Sequence, residues 1–215
     1  MKLVIATQNK GKVAEFERLL GPKGIEVVSL LDYPDLPEVE ETGDSFEANA
    51  RLKAESIAKL LNLPVLADDS GLVVPYLNGA PGIYSARYAG QPKSDKANID
   101  KLLREMSQAS GDQRQAYFVT CLVLASPEHD SHVVEGRAYG TIALEPSGDS
   151  GFGYDPVFYV DQEGATFAQI PLSRKNQISH RANAIKALLA SLPEWLEVTL
   201  SLIHISEPTR LLSIS

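Results

Sequence analysis

The sequence has few of the features that mark secreted or membrane-spanning proteins. It contains one cysteine, Cys121, which excludes a disulfide within the chain, and this residue lies in an apolar run typical of a buried strand. The apolar run at residues 3–6 is too short for the core of a signal peptide, and no stretch approaches the roughly 20 apolar residues of a membrane helix. We therefore expect a cytoplasmic protein with no membrane partner, in which Cys121 is not a nucleophile.

Long basic runs are also missing. Lysine and arginine never occur more than two in a row, and the net charge is −8. Such a chain is poorly suited to neutralise a nucleic-acid backbone, so we expect no nucleic-acid polymer as a partner. A local group of lysines can still bind one phosphate group. The 215 residues, 44% of them hydrophobic, are enough for one domain with its own core.

The last segment of the chain differs from the rest. Residues 200–210 resemble the translation of a transposon adapter used in sequencing libraries. We therefore expect residues 1–199 to form the domain and residues 200–215 to be a read-through tail foreign to the natural protein. The alternative is a genuine carboxyl-terminal strand, which finding the same codons in an independently sequenced source locus would establish.

The hydrophobic pattern predicts an α/β protein with a mixed sheet. A buried strand at residues 3–6 precedes a helix, and a second helix follows the capping-box spacing of Asp44 and Glu47 and ends near Pro64. The two longest strand candidates, residues 116–125 and 132–144, flank a turn and predict a hairpin. Shorter helices are expected at residues 98–106 and from about residue 179, and a long loop at residues 78–90.

Two adjacent carboxylates, Asp68 and Asp69, follow a short apolar run that predicts a strand. Ser70 and Gly71 then predict a turn that ends this strand. Carboxylates at the carboxyl end of a strand are well placed to hold a metal ion or to activate water. The alternative is that these four residues only form a turn, because Asp, Ser and Gly are common turn formers.

Basic and amide side chains cluster in three other places. The string Thr7-x-Asn-x-Gly-Lys12 lies between a strand and a helix, as a phosphate-binding loop does, although a helix cap by Asn9 explains it equally well. Asn49 and Lys53 lie four residues apart beside the apolar face of one helix, so their polar ends can emerge at the rim of a cleft, although a lysine that extends from the edge of the core explains Lys53 more simply. Lys175, His180 and Arg181 surround the start of the last helix, where free N–H groups favour an anion.

These motifs together resemble the inosine triphosphate pyrophosphatase family. The resemblance runs from about residue 3 to residue 192, and it rests on the strings Thr7-x-Asn-x-Gly-Lys12, Glu40-Glu-Thr-Gly43, Phe46-x-x-Asn-Ala50, Ala67-Asp-Asp-Ser-Gly-Leu72, Gly79-Ala-Pro-Gly-Ile-Tyr-Ser-Ala-Arg-Tyr88, Gly151-Phe-Gly-Tyr-Asp-Pro156 and Ser179-His-Arg181. One residue departs from the family pattern, because Gln8 stands where glycine is expected.

The resemblance implies a fold, a reaction and a set of site residues. The fold is a mixed, twisted sheet in two lobes flanked by helices, with the active-site cleft between the lobes, and the protein is a homodimer. The reaction is hydrolysis of ITP, dITP and XTP to the monophosphate and pyrophosphate. Asp69 is the general base, and Mg²⁺ is held by Glu41 and Asp69, with Asp68 as a further candidate ligand. The residues implied in substrate binding are Thr7, Gln8, Asn9, Lys10, Gly11, Lys12, Lys53, Ser70, Phe152, Gly153, Tyr154, Asp155, Lys175, His180 and Arg181.

Two other functions are compatible with the same residues. One is a related pyrophosphatase that removes modified pyrimidine or methylated guanine nucleotides. The other is a nucleotide-binding sensor without catalysis, which Gln8 and the unusual carboxyl end suggest. Comparing the turnover of ITP and XTP with that of the modified nucleotides distinguishes the first alternative from ITP hydrolysis. Tight ITP binding without hydrolysis would indicate the second.

Overall fold

The computed structural model of the protein describes residues 2–192, so the expected tail at residues 200–215 lies outside the described residues. In chain order, the strands and helices are β1 (Lys2–Ile5), α1 (Lys10–Leu20), β2 (Glu26–Ser29), α2 (Phe46–Leu61), β3 (Val65–Val73), α3 (Asp95–Glu105), β4 (Gln115–Ser126), β5 (His129–Ile142), β6 (Phe158–Val160), β7 (Ala165–Thr166), α4 (Leu172–Ile178) and α5 (His180–Ala190).

The strands form one mixed seven-stranded sheet in the order β2-β1-β3-β4-β5-β6-β7. β1 pairs in parallel with β2 and β3, and every later pair is antiparallel. The predicted hairpin is β4 and β5, whose turn is shorter than expected because β5 already begins at His129. The α/β class and the mixed sheet are confirmed.

The core consists of three apolar clusters, and successive residues of β3 belong to clusters on opposite faces of the sheet. Leu66 belongs to a cluster with α1 and α5 on one face of the sheet, whereas Ala67 belongs to a cluster with α2 on the other face. A third cluster joins α3 to β6 and to the distant ends of β4 and β5. The cleft lies between this third cluster and the part of the sheet around β1.

β3 contradicts the predicted turn at Ser70 and Gly71. The strand continues to Val73, and each of its residues pairs with β4, including Asp68 with Leu122 and Asp69 with Cys121. The pairing of the long β4 overrides the local turn preference of Asp, Ser and Gly, because their backbone groups gain ladder hydrogen bonds. Both aspartates therefore lie within a strand.

Three other boundaries differ from the prediction. Ser45, not Asp44, caps α2 by accepting from the N–H of Ala48. α3 starts at Asp95 because Ser94 supplies its cap, and α4 was not predicted at all. Beyond the end of β3 at Val73, Pro75–Leu77 forms a short 3₁₀ helix.

The described residues also bear on the first sequence predictions. Among residues 2–192, no helix combines the length and the apolar composition that crossing a membrane requires. Cys121 is a buried strand residue as predicted, and burial raises the pKa of its thiol to about 12. A thiol with that pKa stays protonated at neutral pH, which agrees with a packing role.

Candidate active site

A cleft of about 350 Å³ brings together most of the predicted site residues. This volume lies in the range of small-molecule sites. The predicted residues that line the cleft are Thr7, Gln8, Asn9, Lys12, Glu41, Lys53, Asp69, Ser70, Phe152, Gly153, Tyr154, Asp155, Lys175, His180 and Arg181. Lys10, Gly11 and Asp68 do not line it.

Asp68 and Asp69 point to opposite faces of the sheet. Successive side chains of a strand alternate between its faces, and both residues lie inside β3. Asp69 lies on the side of α2, and Asp68 lies on the side of α1 and α5. The two carboxylates therefore have different partners despite being neighbours in the chain.

The Asp69 carboxylate is buried beside α2. Its Oδ2 accepts from Asn49 Nδ2 at 3.2 Å, and its Oδ1 lies 3.9 Å from Lys53 Nζ. Burial is the main cause that raises the pKa of Asp69 to about 6, and Glu41 and Asp68 add to it while Lys53 and Lys12 oppose it. A carboxylate with this pKa is a base at neutral pH, and a stronger one than an ordinary aspartate.

Asn49 differs from its prediction as a rim residue. It is completely buried, and besides contacting Asp69 its Oδ1 accepts from the N–H of Gly43 at 2.8 Å. Lys53, four residues later, does reach the cleft, where its Nζ donates to Glu41 Oε1 at 3.0 Å and to the Asp68 carbonyl at 2.6 Å. Asn49 thus orients Asp69, whereas Lys53 presents a charge to the cleft.

Glu41 and Asp69 place two carboxylates around one cationic group. Lys53 Nζ lies near both carboxylates, and Arg87 Nη1 lies 3.5 Å from Glu41 Oε2. The carboxylates of Asp68, Asp69 and Glu41 raise the pKa of Lys53 although burial lowers it, so negative charge dominates this position. Within residues 2–192, no three His, Cys, Asp or Glu side chains are grouped to hold a metal. Two carboxylates suit Mg²⁺, which completes its coordination with water and substrate phosphates.

The Asp68 carboxylate lies in a separate, buried cationic group. Its Oδ2 contacts Lys12 Nζ at 2.8 Å, Arg181 Nε at 3.4 Å and Ser70 Oγ at 2.7 Å. Burial alone would raise the pKa of Asp68, but Lys12, Arg181 and Lys53 together hold it well below the usual range. Asp68 is therefore ionised and acts as an acceptor only.

Glu15 is a site residue that the sequence did not indicate. It is buried on α1, and it links Lys175 Nζ at 3.0 Å to Arg181 Nη1 at 2.5 Å. Lys175 Nζ also donates to Asp155 Oδ2 at 2.7 Å. Lys175 and Arg181, which the sequence predicted to bind an anion at the start of the last helix, are thus already paired with carboxylates of the protein.

The loop at residues 151–155 packs its aromatic ring on α1. A Cβ at Gly11 would lie 2.9 Å from the Phe152 ring, which explains why glycine suits this position although it does not line the cleft. The ring also lies 5.0 Å from Lys175 Nζ. The Phe152 N–H donates to Asp155 Oδ2, and the Gly153 N–H donates to Asp95 Oδ2 at 2.7 Å. These two backbone donors are already occupied, and Asp95 lines the cleft although the sequence did not indicate it.

His180 is a neutral, buried ring in the cleft wall. Burial, together with Arg181 and Lys175, lowers its pKa well below the usual value. The ring stacks on Phe118 with centroids 4.8 Å apart, and its Nδ1 is a buried atom that no protein group within residues 2–192 satisfies. Such an atom is suited to a hydrogen bond with a bound molecule.

Asn9 caps α1, as one of the two sequence interpretations proposed. Its Oδ1 accepts from the N–H groups of Gly11 at 2.9 Å and Lys12 at 3.2 Å, while Thr7 Oγ1 accepts from the Asn9 N–H. The cap and a phosphate-binding role are compatible, because Thr7, Asn9 and Lys12 all face the cleft.

Known proteins resemble both the sequence and the fold. The sequence matches the Ham1 family over residues 3–191. It is 50% identical over 194 residues to the dITP/XTP pyrophosphatase of Halalkalibacterium halodurans, covering 90% of this chain and 98% of that relative. It is 53% identical over 187 residues to the dITP/XTP pyrophosphatase of Geobacillus kaustophilus, covering 87% and 92%. The structure of the Staphylococcus aureus Ham1 protein superposes with a TM-score of 0.80 at 46% identity, covering 93% of this chain and 100% of that one.

These similarities confirm the resemblance to the inosine triphosphate pyrophosphatases that the motifs suggested. The shared sequence extends across almost all of the described fold, and the site motifs lie within the matched range. The chain belongs to the Ham1 family.

Proposed function

We propose that the protein hydrolyses the non-standard purine nucleotides ITP, dITP and XTP to the monophosphate and pyrophosphate. The observation that carries this proposal is the cleft itself, where a raised-pKa carboxylate lies opposite two lysines and beside an aromatic loop. The named activity of the relatives, dITP/XTP pyrophosphatase, supports the same reaction.

Asp69 is the proposed general base. It removes a proton from a water molecule that attacks the α-phosphorus, and the bond from this phosphorus to the oxygen bridging to the β-phosphorus breaks. The pyrophosphate leaves with the electron pair of that bond. The proton goes to Asp69, which burial and Glu41 prepare to accept it.

Glu41 and Asp69 are the proposed ligands of Mg²⁺. When bound, the ion polarises the phosphoryl oxygens and offsets charge that develops in the transition state. Asp68 is a poor third ligand because its side chain lies on the opposite face of β3 from Asp69 and does not line the cleft.

Lys12 and Lys53 are the proposed triphosphate contacts, together with Thr7 and Asn9. Burial is the main cause that lowers the pKa of Lys12, so this ammonium gains from an additional anion in the cleft. Lys53 lies between the two proposed metal ligands, 3.0 Å from Glu41 Oε1 and 3.9 Å from Asp69 Oδ1, so its ammonium would lie next to triphosphate bound at that metal.

The base is proposed to bind between the Phe152 loop and the end of α5. An aromatic ring stacks on any purine, so discrimination depends on hydrogen bonds at the six-position. The N–H groups of Phe152 and Gly153 are occupied, whereas His180 Nδ1 is buried without a partner among residues 2–192. Lys175 and Arg181 have N–H groups beyond those that contact carboxylates, so these three side chains are the proposed donors to a six-oxo group. Adenine presents an amino group there and would leave these donors unpaired.

The reaction is tested by incubating the protein with ITP and identifying the products. We expect inosine monophosphate and pyrophosphate in equal amounts, with Mg²⁺ required and a chelator removing turnover. Release of orthophosphate would contradict the proposed bond cleavage. A parallel panel of dITP, XTP, GTP, ATP and modified pyrimidine and methylated guanine nucleotides separates this function from that of a related pyrophosphatase.

The pH dependence of the reaction is expected to reflect Asp69. A general base must be ionised, and burial raises the pKa of Asp69 to about 6, so kcat/KM falls as the pH drops below about 6. Mg²⁺ near this carboxylate favours its ionised form and shifts the acid limb to lower pH. Glu41→Gln removes a negative charge that raises the pKa of Asp69, so the acid limb of kcat/KM in this variant also shifts to lower pH. If kcat/KM falls at the same pH at low and high Mg²⁺ concentration, the proposal that Asp69 is both the base and a Mg²⁺ ligand is contradicted.

We also propose that the protein acts as a homodimer in the cytoplasm. Several large apolar side chains are exposed, including Tyr139 at 67% and Leu144 at 80%, and such side chains are frequent in interfaces. Sedimentation equilibrium measures the assembly, and a monomer at all concentrations up to about 50 μM, well above Kd values typical of stable dimers, would contradict it.

A further inference from the structure

Thr120 is a buried polar residue that the proposed reaction does not use. It lies in the middle of β4, directly opposite Ser70 of β3, and none of its surface is exposed. It does not line the cleft, and its neighbours on the same face of the strand are the apolar Phe118 and Leu122. A buried hydroxyl in such surroundings is costly unless it is hydrogen-bonded.

The geometry fixes the direction of the hydrogen bonds around Thr120. Asp68 is ionised by its ion pair with Lys12, so the hydroxyl of Ser70 must donate to Asp68 Oδ2, at 2.7 Å. Ser70 Oγ is then left as an acceptor. The Thr120 hydroxyl lies 2.6 Å from Ser70 Oγ but 3.5 Å from the Asp69 carbonyl, so it donates to Ser70.

Ser70 contacts both carboxylates of the site. Its hydroxyl reaches Asp68, and its backbone N–H donates to Asp69 Oδ1 at 3.1 Å. Because the Ser70 hydroxyl accepts from Thr120 and donates to Asp68, it has one orientation. This orientation keeps Asp68 against Lys12, while the adjoining backbone keeps Asp69 directed into the cleft.

We propose that Thr120 is a positioning residue that acts through Ser70 to hold Asp68 and Asp69 in their working orientations. The directed chain runs from Thr120 to Ser70 to Asp68. This proposal rests on the proposed function, in which Asp69 and Lys12 act on the nucleotide.

A double-mutant cycle tests the proposal. Thr120→Val keeps the shape and removes the donor, and we expect it to lower kcat/KM for ITP about 5- to 10-fold, the usual effect of one buried hydrogen bond. Thr120→Ser keeps the hydroxyl and is expected to stay within about 2-fold of the original protein. In a Ser70→Ala background, Thr120→Val is expected to change kcat/KM by less than about 2-fold, because its partner is already absent.

Controls separate positioning from packing. Thr141→Val changes another threonine of the same sheet, outside the cleft, and should leave kcat/KM unchanged. An unaltered rate in Thr120→Val, or a loss of the same size with and without Ser70, would overturn the proposal.

The same cycle is measured as the dissociation constant of ITP by calorimetry in a chelator, where no turnover occurs. A protein that binds ITP but never releases pyrophosphate would disprove the proposed reaction alone. If Thr120→Val changes the dissociation constant equally with and without Ser70→Ala, the role of Thr120 is disproved while the proposed reaction stands. If Thr120→Val has no further effect in the Ser70→Ala background, its role is supported.

Discussion

Replacing Asp69 by asparagine is expected to lower kcat for ITP by about 100- to 10,000-fold, the range for loss of a general base. The substitution keeps the size of the side chain, and Asn49 can still donate to the amide oxygen. An amide accepts no proton at neutral pH and is a weak metal ligand. Both proposed roles of Asp69 are therefore removed while its packing is retained, and steady-state kinetics measures the loss.

The stability of this variant is expected to move in the opposite direction. Because burial raises the pKa of Asp69 to about 6, the folded protein carries its charge less favourably than the unfolded chain at higher pH. Asp69→Asn should therefore leave the free energy of unfolding at pH 8 unchanged or raise it by on the order of 2 kcal/mol. The gain disappears below about pH 4, where the carboxyl group is protonated in both states.

Asp100→Asn is the matched control for this prediction. Asp100 is exposed on α3, and within residues 2–192 its ion-pair partner is the exposed Lys96, so its loss should change neither kcat nor, beyond about 0.5 kcal/mol, the stability. If Asp69→Asn keeps activity within 10-fold of the original protein, Asp69 is not the base. A large loss of stability in that variant would instead attribute its inactivity to unfolding.

Arg181→Met is expected to lower the free energy of unfolding by about 3–5 kcal/mol, the cost of breaking a buried ion pair. Its guanidinium contacts Glu15 Oε2 at 2.5 Å and Asp68 Oδ2 at 3.4 Å, and only 3% of the side chain is exposed. Methionine fills similar volume but leaves two buried carboxylates with less compensation. Urea denaturation measures the change.

The pH dependence of this loss has a definite sign. Although burial raises the pKa of Glu15, Arg181 and Lys175 hold it below its usual value, and Asp68 is held lower still. Carboxylates with a lowered pKa stabilise the fold above their unfolded pKa, and this contribution is lost as the pH falls. The destabilisation by Arg181→Met should therefore be full at pH 7 and decrease below about pH 4.

Arg174→Met provides the comparison between a buried and an exposed pair. Arg174 contacts Glu163 at 2.7 Å, a distance similar to that of the buried pair, but its side chain is 44% exposed. We expect its loss to lower the free energy of unfolding far less than the loss of Arg181 does, because exposed ion pairs contribute little. Equal losses in the two variants would show that burial does not determine the importance of Arg181.

Most of the predicted site residues line the cleft, and the resemblance of the motifs to a known family indicated them. Apolar periodicity placed the helices and the long hairpin, and the motifs placed Asp69, Lys53 and the residue 151–155 loop on segments that the fold brings together. Local patterns failed at β3, where Ser70 and Gly71 resemble a turn. Only the pairing partner, which lies about 50 residues away in β4, keeps them extended.

The contacts that determine the charge of each group could not be predicted in the same way. Glu15 resembles any polar residue of an amphipathic helix, and its partners Lys175 and Arg181 lie 160 and 166 residues away. Thr120 likewise resembles an ordinary strand residue. The sequence therefore indicated the side chains that we propose to carry the chemistry, whereas the buried residues that orient them were visible only in three dimensions.

The alternation of Asp68 and Asp69 across β3 also restricts how this strand can change in length. Inserting or deleting one residue between Val65 and Ala67 would turn the following side chains to the other face of the sheet. Asp69 would then point towards Lys12 and Arg181, and Asp68 towards Asn49 and Glu41. Natural length variation in this chain is therefore expected in the loops around β3 and not ahead of the aspartates within it.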